Sequence, residues 1–247
     1  MTPEDFALLH TGLPREGPGS DATTLAALGR IHCLPREPRV LDIGCGPGKQ
    51  TLVLARALGV RVTAVDIHQP YLDRLRAAAA GASLSGLIET RRISMDALDY
   101  PDDTIDLIWC EGAIFVLGVS QALQRWRPML RKGGIVAFTE ASWLGEQRPA
   151  EAAAFWQKVY PSIGSVAENV AAANREGYEV FDQFTIPADD WWAEYYKPMQ
   201  VRIAQLSEQA HLDADLAGVL DFAREEIGLF SRYHGSYGYV FYFARKI

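Results

Sequence analysis

Little in this 247-residue chain would serve an oxidising compartment, a bilayer or a polyanion. Its three cysteines, at 33, 45 and 110, stand far apart and make no C-x-x-C pair, which argues against a disulfide-stapled scaffold and a cysteine zinc site. No apolar run is long enough to span a membrane, although 49% of residues are hydrophobic and can fill one large core. Met1 to His10 carry Glu4 and Asp5 rather than a basic leader before an apolar stretch, so no secretory signal is expected. With 31 acids against 24 bases the formal charge is -7, which would repel a nucleic-acid backbone. Arg125, Arg127, Arg131 and Lys132 do cluster, but at an expected helix end, where cations favour the dipole. The five histidines, at 10, 32, 68, 211 and 234, form no H-E-x-x-H or similar group, so a metal is not expected. These absences describe a cytoplasmic chain without metal, membrane or nucleic-acid partners, and they leave its oligomeric state open.

What is present begins at Val40-Leu41-Asp42-Ile43-Gly44-Cys45-Gly46-Pro47-Gly48, a short apolar strand running into a glycine-rich turn that opens a helix. Glycines at 44, 46 and 48 let the backbone turn sharply and approach a ligand, and the helix start offers unpaired N–H donors. A pyrophosphate or a carboxylate would suit that positive end, so the glycines alone do not name the ligand. The third glycine comes one residue early for a G-x-G-x-x-G dinucleotide fingerprint, and Pro47 occupies the turn. A P-loop is excluded because Ile43 and Gln50 stand where it needs glycine and Ser or Thr. Asp42, at the strand end, could accept hydrogen bonds from a cationic amine and would disfavour a pyrophosphate. Arg61 to Asp66 is a β-rich run ending in an acid about twenty residues after the glycines, where a Rossmann-like site holds ribose hydroxyls.

Asp42 to Gly48 resembles motif I of the class I S-adenosylmethionine-dependent methyltransferases, and the resemblance continues in order through roughly the first 140 residues. It implies S-adenosylmethionine as cofactor, held by Asp42, Gly44, Gly46, Gly48 and Asp66, with Ile67 against the adenine ring. Ser94-Met95-Asp96-Ala97 is similar to the segment that reads the adenine amino group, which gives Asp96 and Ala97 that role. Thr104 to Glu111 resembles the fourth strand and the segment after it that faces cofactor and substrate, and Leu130 to Phe138 resembles the L-x-x-G-G turn and fifth strand. The implied activity is methyl transfer to a small-molecule acceptor. In-line orientation can carry most of such a reaction. If the acceptor is a phenol or an ammonium, Glu111 or Glu140 is the candidate base.

The expected fold is α/β, a Rossmann-like seven-stranded mixed sheet with helices on both faces, the last strand antiparallel and a helical insertion before it. Strands are expected to begin near Arg39, Arg61, Ile88, Thr104 and Ile135, with a sixth over Gly177–Ile186 and a seventh over Tyr237–Lys246; helices are expected over Lys49–Leu58, Pro70–Ala80, Ser120–Leu130 and Pro149–Tyr160. The chain reads as a single domain, 1–247, with a helical cap over 1–35 and the insertion over 188–235. In the cap, Gly17 and Ser20 could offer backbone donors to the methionyl carboxylate. In the insertion, Trp191, Trp192, Tyr195 and Tyr196 recur at i, i+4 and are divided between packing and a substrate wall. Trp143, placed just beyond the fifth strand, and Glu140 are further candidates for substrate contact. Two other readings share these residues: a non-catalytic sensor of S-adenosylmethionine, and a nicotinamide-dependent oxidoreductase.

Overall fold

The computed structural model describes residues 8–210 and 213–247. The expectation about a leader in the first seven residues, and part of the cap over 1–35, lie outside them. Chain order is α1 (Asp21–Leu28), β1 (Val40–Ile43), α2 (Lys49–Leu58), β2 (Val62–Asp66), α3 (Gln69–Gly81), β3 (Ile88–Arg92), β4 (Ile105–Cys110), α4 (Val119–Trp126), β5 (Leu130–Trp143), α5 (Ala150–Val159), β6 (Gly164–Ser165), α6 (Val166–Arg175) and β7 (Tyr178–Thr185). After β7 come α7 (Ala188–Trp191), a π-helical turn (Trp192–Tyr196), α8 (Lys197–Ala210), α9 (Ala214–Tyr233) and β8 (Tyr237–Lys246).

The sheet runs β3-β2-β1-β4-β5-β8-β7, with the two-residue β6 paired to β5. It is parallel except for β8, which runs antiparallel to both β5 and β7. It thus has the mixed, Rossmann-like form expected, and β6 makes eight strands rather than seven among the described residues. All four residues of β1 and all six of β4 are buried, as continuous apolar runs require when helices cover both faces. The period-2 alternation sorts them between two cores: Ile108, Cys110, Val136 and Phe138 pack with Leu123 and Trp126 of α4, while Leu107, Trp109, Ile135 and Ala137 pack with Ala27 of α1 and Leu54 of α2. A third core joins Trp143, Ala152, Trp191, Leu220 and Phe230, binding the helices before β8 to the end of β5. No helix among the described residues is long and apolar enough to cross a membrane.

Two local expectations change. Strand β5 extends to Trp143, which pairs with Tyr237 of β8, so Trp143 closes the strand instead of following it. The aromatic segment is also no single α-helix. Its π-helical turn changes the angular spacing of the side chains, and Trp191 comes within 5.7 Å of Tyr196 by ring centroids. Trp191, Tyr195 and Tyr196 are consequently buried together, whereas Trp192 is half-buried.

Ser20 caps α1 by accepting the Thr23 N–H at 3.0 Å. Its hydroxyl donates to Asp190 Oδ2 at 2.9 Å, and Thr23 Oγ1 donates to the same oxygen at 2.5 Å, which ties α1 to α7 across 170 residues of chain. Replacing Asp190 with Ala removes the shared acceptor of two charge-assisted hydrogen bonds, a loss of about 2 kcal/mol and of about 4–8 °C in melting temperature. Calorimetric unfolding of Asp190→Ala is the check, and an unchanged melting temperature would show that this bridge carries no stability.

Candidate functional site

The glycine turn is built by sterics first. Gly44 has φ +67°, and a Cβ there would meet the Ala113 Cβ at 2.4 Å, so only glycine fits between β1 and the segment after β4. Gly46, at φ +52°, donates its N–H to Asp66 Oδ2 at 2.9 Å, and the His68 N–H donates to Asp66 Oδ1 at 2.8 Å. The carboxylate at the end of β2 is thereby fixed beside the turn, with lone pairs left for further donors. Gly48 caps α2 without a side-chain hydrogen bond, so no side chain answers the first N–H groups of that helix.

A cavity of about 590 Å³ opens over the carboxyl ends of β1, β2, β4 and β5, where open α/β sheets bind ligands. Of the residues singled out from sequence, Gly17, Gly44, Gly46, Asp66, Ile67, Glu111, Trp191 and Tyr195 line it. The others stand apart from the wall, each for a visible reason. Asp42 is fully buried, accepting from Thr51 Oγ1 at 2.5 Å and Gln50 Nε2 at 3.5 Å, and burial pushes its pKa up to about 7. Gln50 faces the cavity in its place. At Gly48 a Cβ would meet Leu75 Cδ1 at 2.3 Å, so that glycine serves helix packing. Ser20, expected to offer its backbone N–H, stands off the wall as the cap of α1. Asp96 and Ala97 are exposed, and the Asp96 carboxylate bonds Ser94, which holds it below its usual range; Ser94 and Met95 are the wall residues of that segment. Trp143 packs edge-on against Tyr237, 6.0 Å between centroids. Trp192 is off the wall, and the Tyr196 hydroxyl is turned to Glu226, to which it donates at 2.9 Å.

Charge in the cavity is organised around Arg15. This guanidinium is 5% exposed and lies 2.8 Å from Asp21, 3.5 Å from Glu111 and 3.8 Å from Glu194. Glu111 also accepts from Thr24 Oγ1 and Trp109 Nε1, both at 2.8 Å on Oε1. Burial still holds Glu111 above its ordinary range, against the opposing pull of Arg15 and these two donors. Glu140 is buried behind the wall, bonded by Tyr160, and burial raises it to about 8. Among the described residues no cluster of three or more His, Cys, Asp or Glu could hold a metal ion.

Sequence reasoning gave no role to Arg15, His10, Tyr160, Tyr239 or Glu226, all of which line the cavity. For Glu226 a signal existed: it falls among the apolar positions 216, 219, 220, 223, 227 and 230 of α9, an acid beside a core stripe.

Residues 40–134 match the family model described as a methyltransferase domain. The glycine/sarcosine/dimethylglycine N-methyltransferase of Actinopolyspora halophila is 30% identical over 138 residues, 53% of this chain and 24% of that protein. The 27-O-demethylrifamycin SV methyltransferase of Amycolatopsis mediterranei is 26% identical over 218 residues, 84% of this chain and 77% of that one. The chain thus spans about a quarter of the first relative and most of the second. A solved S-adenosylmethionine-dependent methyltransferase from Thiobacillus denitrificans, in complex with S-adenosyl-L-homocysteine, superposes with a TM-score of 0.81 at 22% identity, covering 100% of this chain and 99% of that one. At that identity the likeness is one of fold.

Glu140 also sets a pH dependence. Its folded pKa of about 8 lies above the ordinary 4.5, so the folded state keeps a proton that the unfolded chain releases. The stability this contributes is complete below about pH 4.5 and is lost as pH rises through about 8. Asp42, raised from 3.8 to about 7, acts in the same direction over a lower window. Glu140→Gln should flatten the fall in stability between pH 5 and 8 by up to about 1.4 kcal/mol per pH unit. Denaturant melts across that range test it, and parallel slopes for wild type and variant would refute the shift.

Proposed function

We propose, from the premise that residues 40–134 form a class I S-adenosylmethionine-dependent methyltransferase domain, that the chain binds S-adenosylmethionine in this cavity and transfers its methyl group to a small-molecule acceptor. The observation that carries the proposal is the Gly44–Gly46 turn with the Asp66 carboxylate fixed beside it on the cavity wall. The residues present fit the cofactor. A Cβ at Gly46 would enter open wall, meeting only Glu16 Cγ at 3.6 Å, which leaves the backbone free for close approach by a ligand. Arg15 Nε is buried without a hydrogen-bond partner on the same wall, available to a carboxylate.

In this reading Asp66 holds the ribose hydroxyls, Ile67, Ser94 and Met95 border the adenine, and the glycine turn with Gln50, Glu111 and Arg15 holds the amino-acid end. When bound, the cofactor supplies a methyl group made electrophilic by a sulfonium. The protein's contribution is placement: the wall beyond Ala113 and Ala141 is mainly aromatic, so it excludes water and aligns the acceptor. Within a single domain, the segment ahead of β1 and the helices of 188–235 serve as cover. Glu111 is tied to Arg15, Thr24 and Trp109, an arrangement better suited to positioning than to taking a proton.

Calorimetric titration with S-adenosylmethionine, S-adenosylhomocysteine and NADH separates this reading from an oxidoreductase. Transfer of labelled methyl to a metabolite extract then separates enzyme from sensor. Asp66→Ala should weaken S-adenosylmethionine binding about tenfold or more, the equivalent of losing one charge-assisted hydrogen bond of about 1.5–3 kcal/mol. Gly46→Val should abolish uptake while costing the fold about 1–2 kcal/mol for a branched side chain at positive φ. Wild-type affinity in either folded variant would place the cofactor elsewhere.

A further inference from the structure

The half of the cavity away from the glycine turn has its own chemistry. Its wall carries the rings of Phe155, Trp156, Trp191, Tyr195, Phe222 and Tyr239. Among them stands one carboxylate, Glu226, from the middle of α9. Tyr196 donates to its Oε1 at 2.9 Å, and burial among the rings holds it above the ordinary carboxylate range. The titratable groups around it are His10, which acts to lower its pKa, and the hydroxyls of Tyr195, Tyr196, Tyr237 and Tyr239.

The cations of the cavity are engaged elsewhere. Among the described lining residues Arg15 faces Asp21, Glu111 and Glu194, Lys49 lies 4.0 Å from Glu194, and His10 Nδ1 lies 3.0 Å from Glu16 Oε2. An anionic acceptor would therefore meet the carboxylate of Glu226 with no basic side chain left to answer it, the Arg15 Nε being given to the cofactor's carboxylate in the proposed reading. A purely hydrocarbon acceptor would leave that carboxylate desolvated and without a counter-ion. A cation meets the demands of the carboxylate and the rings, since aromatic faces attract an ammonium and a carboxylate accepts its N–H in a charge-assisted bond.

We propose that this wall binds the methyl acceptor as an amine, with Glu226 as the counter-ion of its ammonium group and the surrounding rings as its cage. The inference rests on the methyl-transfer reading of the cavity and adds the class of acceptor.

The test compares two probes of like shape and opposite charge, 2-phenylethylamine and 3-phenylpropionate, titrated by calorimetry into the full chain saturated with S-adenosylhomocysteine. The amine should bind at least tenfold tighter than the carboxylate. Glu226→Gln, which keeps the shape and an acceptor for Tyr196, should lower amine affinity at least tenfold with S-adenosylhomocysteine affinity and melting temperature unchanged. Equal or tighter binding of the carboxylate, no uptake of the amine up to its solubility limit, or wild-type amine affinity in the variant each overturns the proposal. Should Glu226→Gln not fold, the wild-type comparison of the two probes decides alone. If S-adenosylhomocysteine itself does not bind, the cofactor reading fails, and the same two titrations on the unliganded chain still judge the wall.

Discussion

The buried guanidinium of Arg15 is the constraint on which the arrangement of the cavity depends. A cation 5% exposed is costly unless its partners are close, and Arg15 draws its partners from three places: Asp21 opening α1, Glu111 following β4 and Glu194 in the π-helical turn. The sheet, the N-terminal segment and the helices before β8 are thus held to one charge. Removing the N-terminal segment would leave the buried carboxylate of Glu111 without its cation. The Asp190 bridge to Ser20 and Thr23 reinforces the same junction one turn away from Glu194. Cover and scaffold are therefore joined by polar contacts at the cavity rim, while apolar packing holds the cover to the end of β5 through Trp143 and Tyr237.

That division of labour explains why the two ends of the cavity differ. The glycine-turn end is made largely of backbone: Gly44, Gly46 and the start of α2, with Asp66 locked by two backbone N–H donors. Such a surface has little freedom to change, because a Cβ at Gly44 would collide with Ala113. The other end is made of side chains from α5, α7, the π-helical turn, α9 and β8, all but the last of them outside the sheet. One scaffold can in this way keep a single cofactor site and accept different substrates.

The same contrast governs what the sequence discloses. Asp66, Gly44 and Gly46 are legible as wall residues because their placement follows from local geometry, a strand end and a turn whose spacing is written in consecutive residues. Strands β1 and β4 are legible because continuous burial leaves a largely apolar run. Asp42 misleads for a local reason as well: the strand-end acid faces inward, where Gln50 and Thr51 in the first turn of α2 claim its oxygens. Trp143 misleads because the length of β5 is set by its pairing with β8, about a hundred residues away. The aromatic run divides by its i, i+4 pairs, Trp191 and Tyr195 lining the cavity and Trp192 and Tyr196 standing off it, but the α-helical spacing does not hold in the π-helical turn, which buries Tyr196 beside Trp191 and leaves Trp192 half-buried.

Glu226 shows how far a periodic pattern can be pressed. An acid bordering the apolar stripe of α9 contradicts the rule that such stripes bury only hydrocarbon, and the contradiction disappears once the cavity is in view. A packed core would expel this carboxylate or demand a buried counter-ion at the same depth. The cavity relaxes both demands, because the residue is supported from behind by the Tyr196 hydroxyl and faces a space that a ligand can fill. Local disagreement between pattern and residue thus falls where the wall faces the cavity, and the fold tolerates it there because the α9 contacts of Leu216, Val219, Leu220, Ala223 and Phe230 already secure the helix.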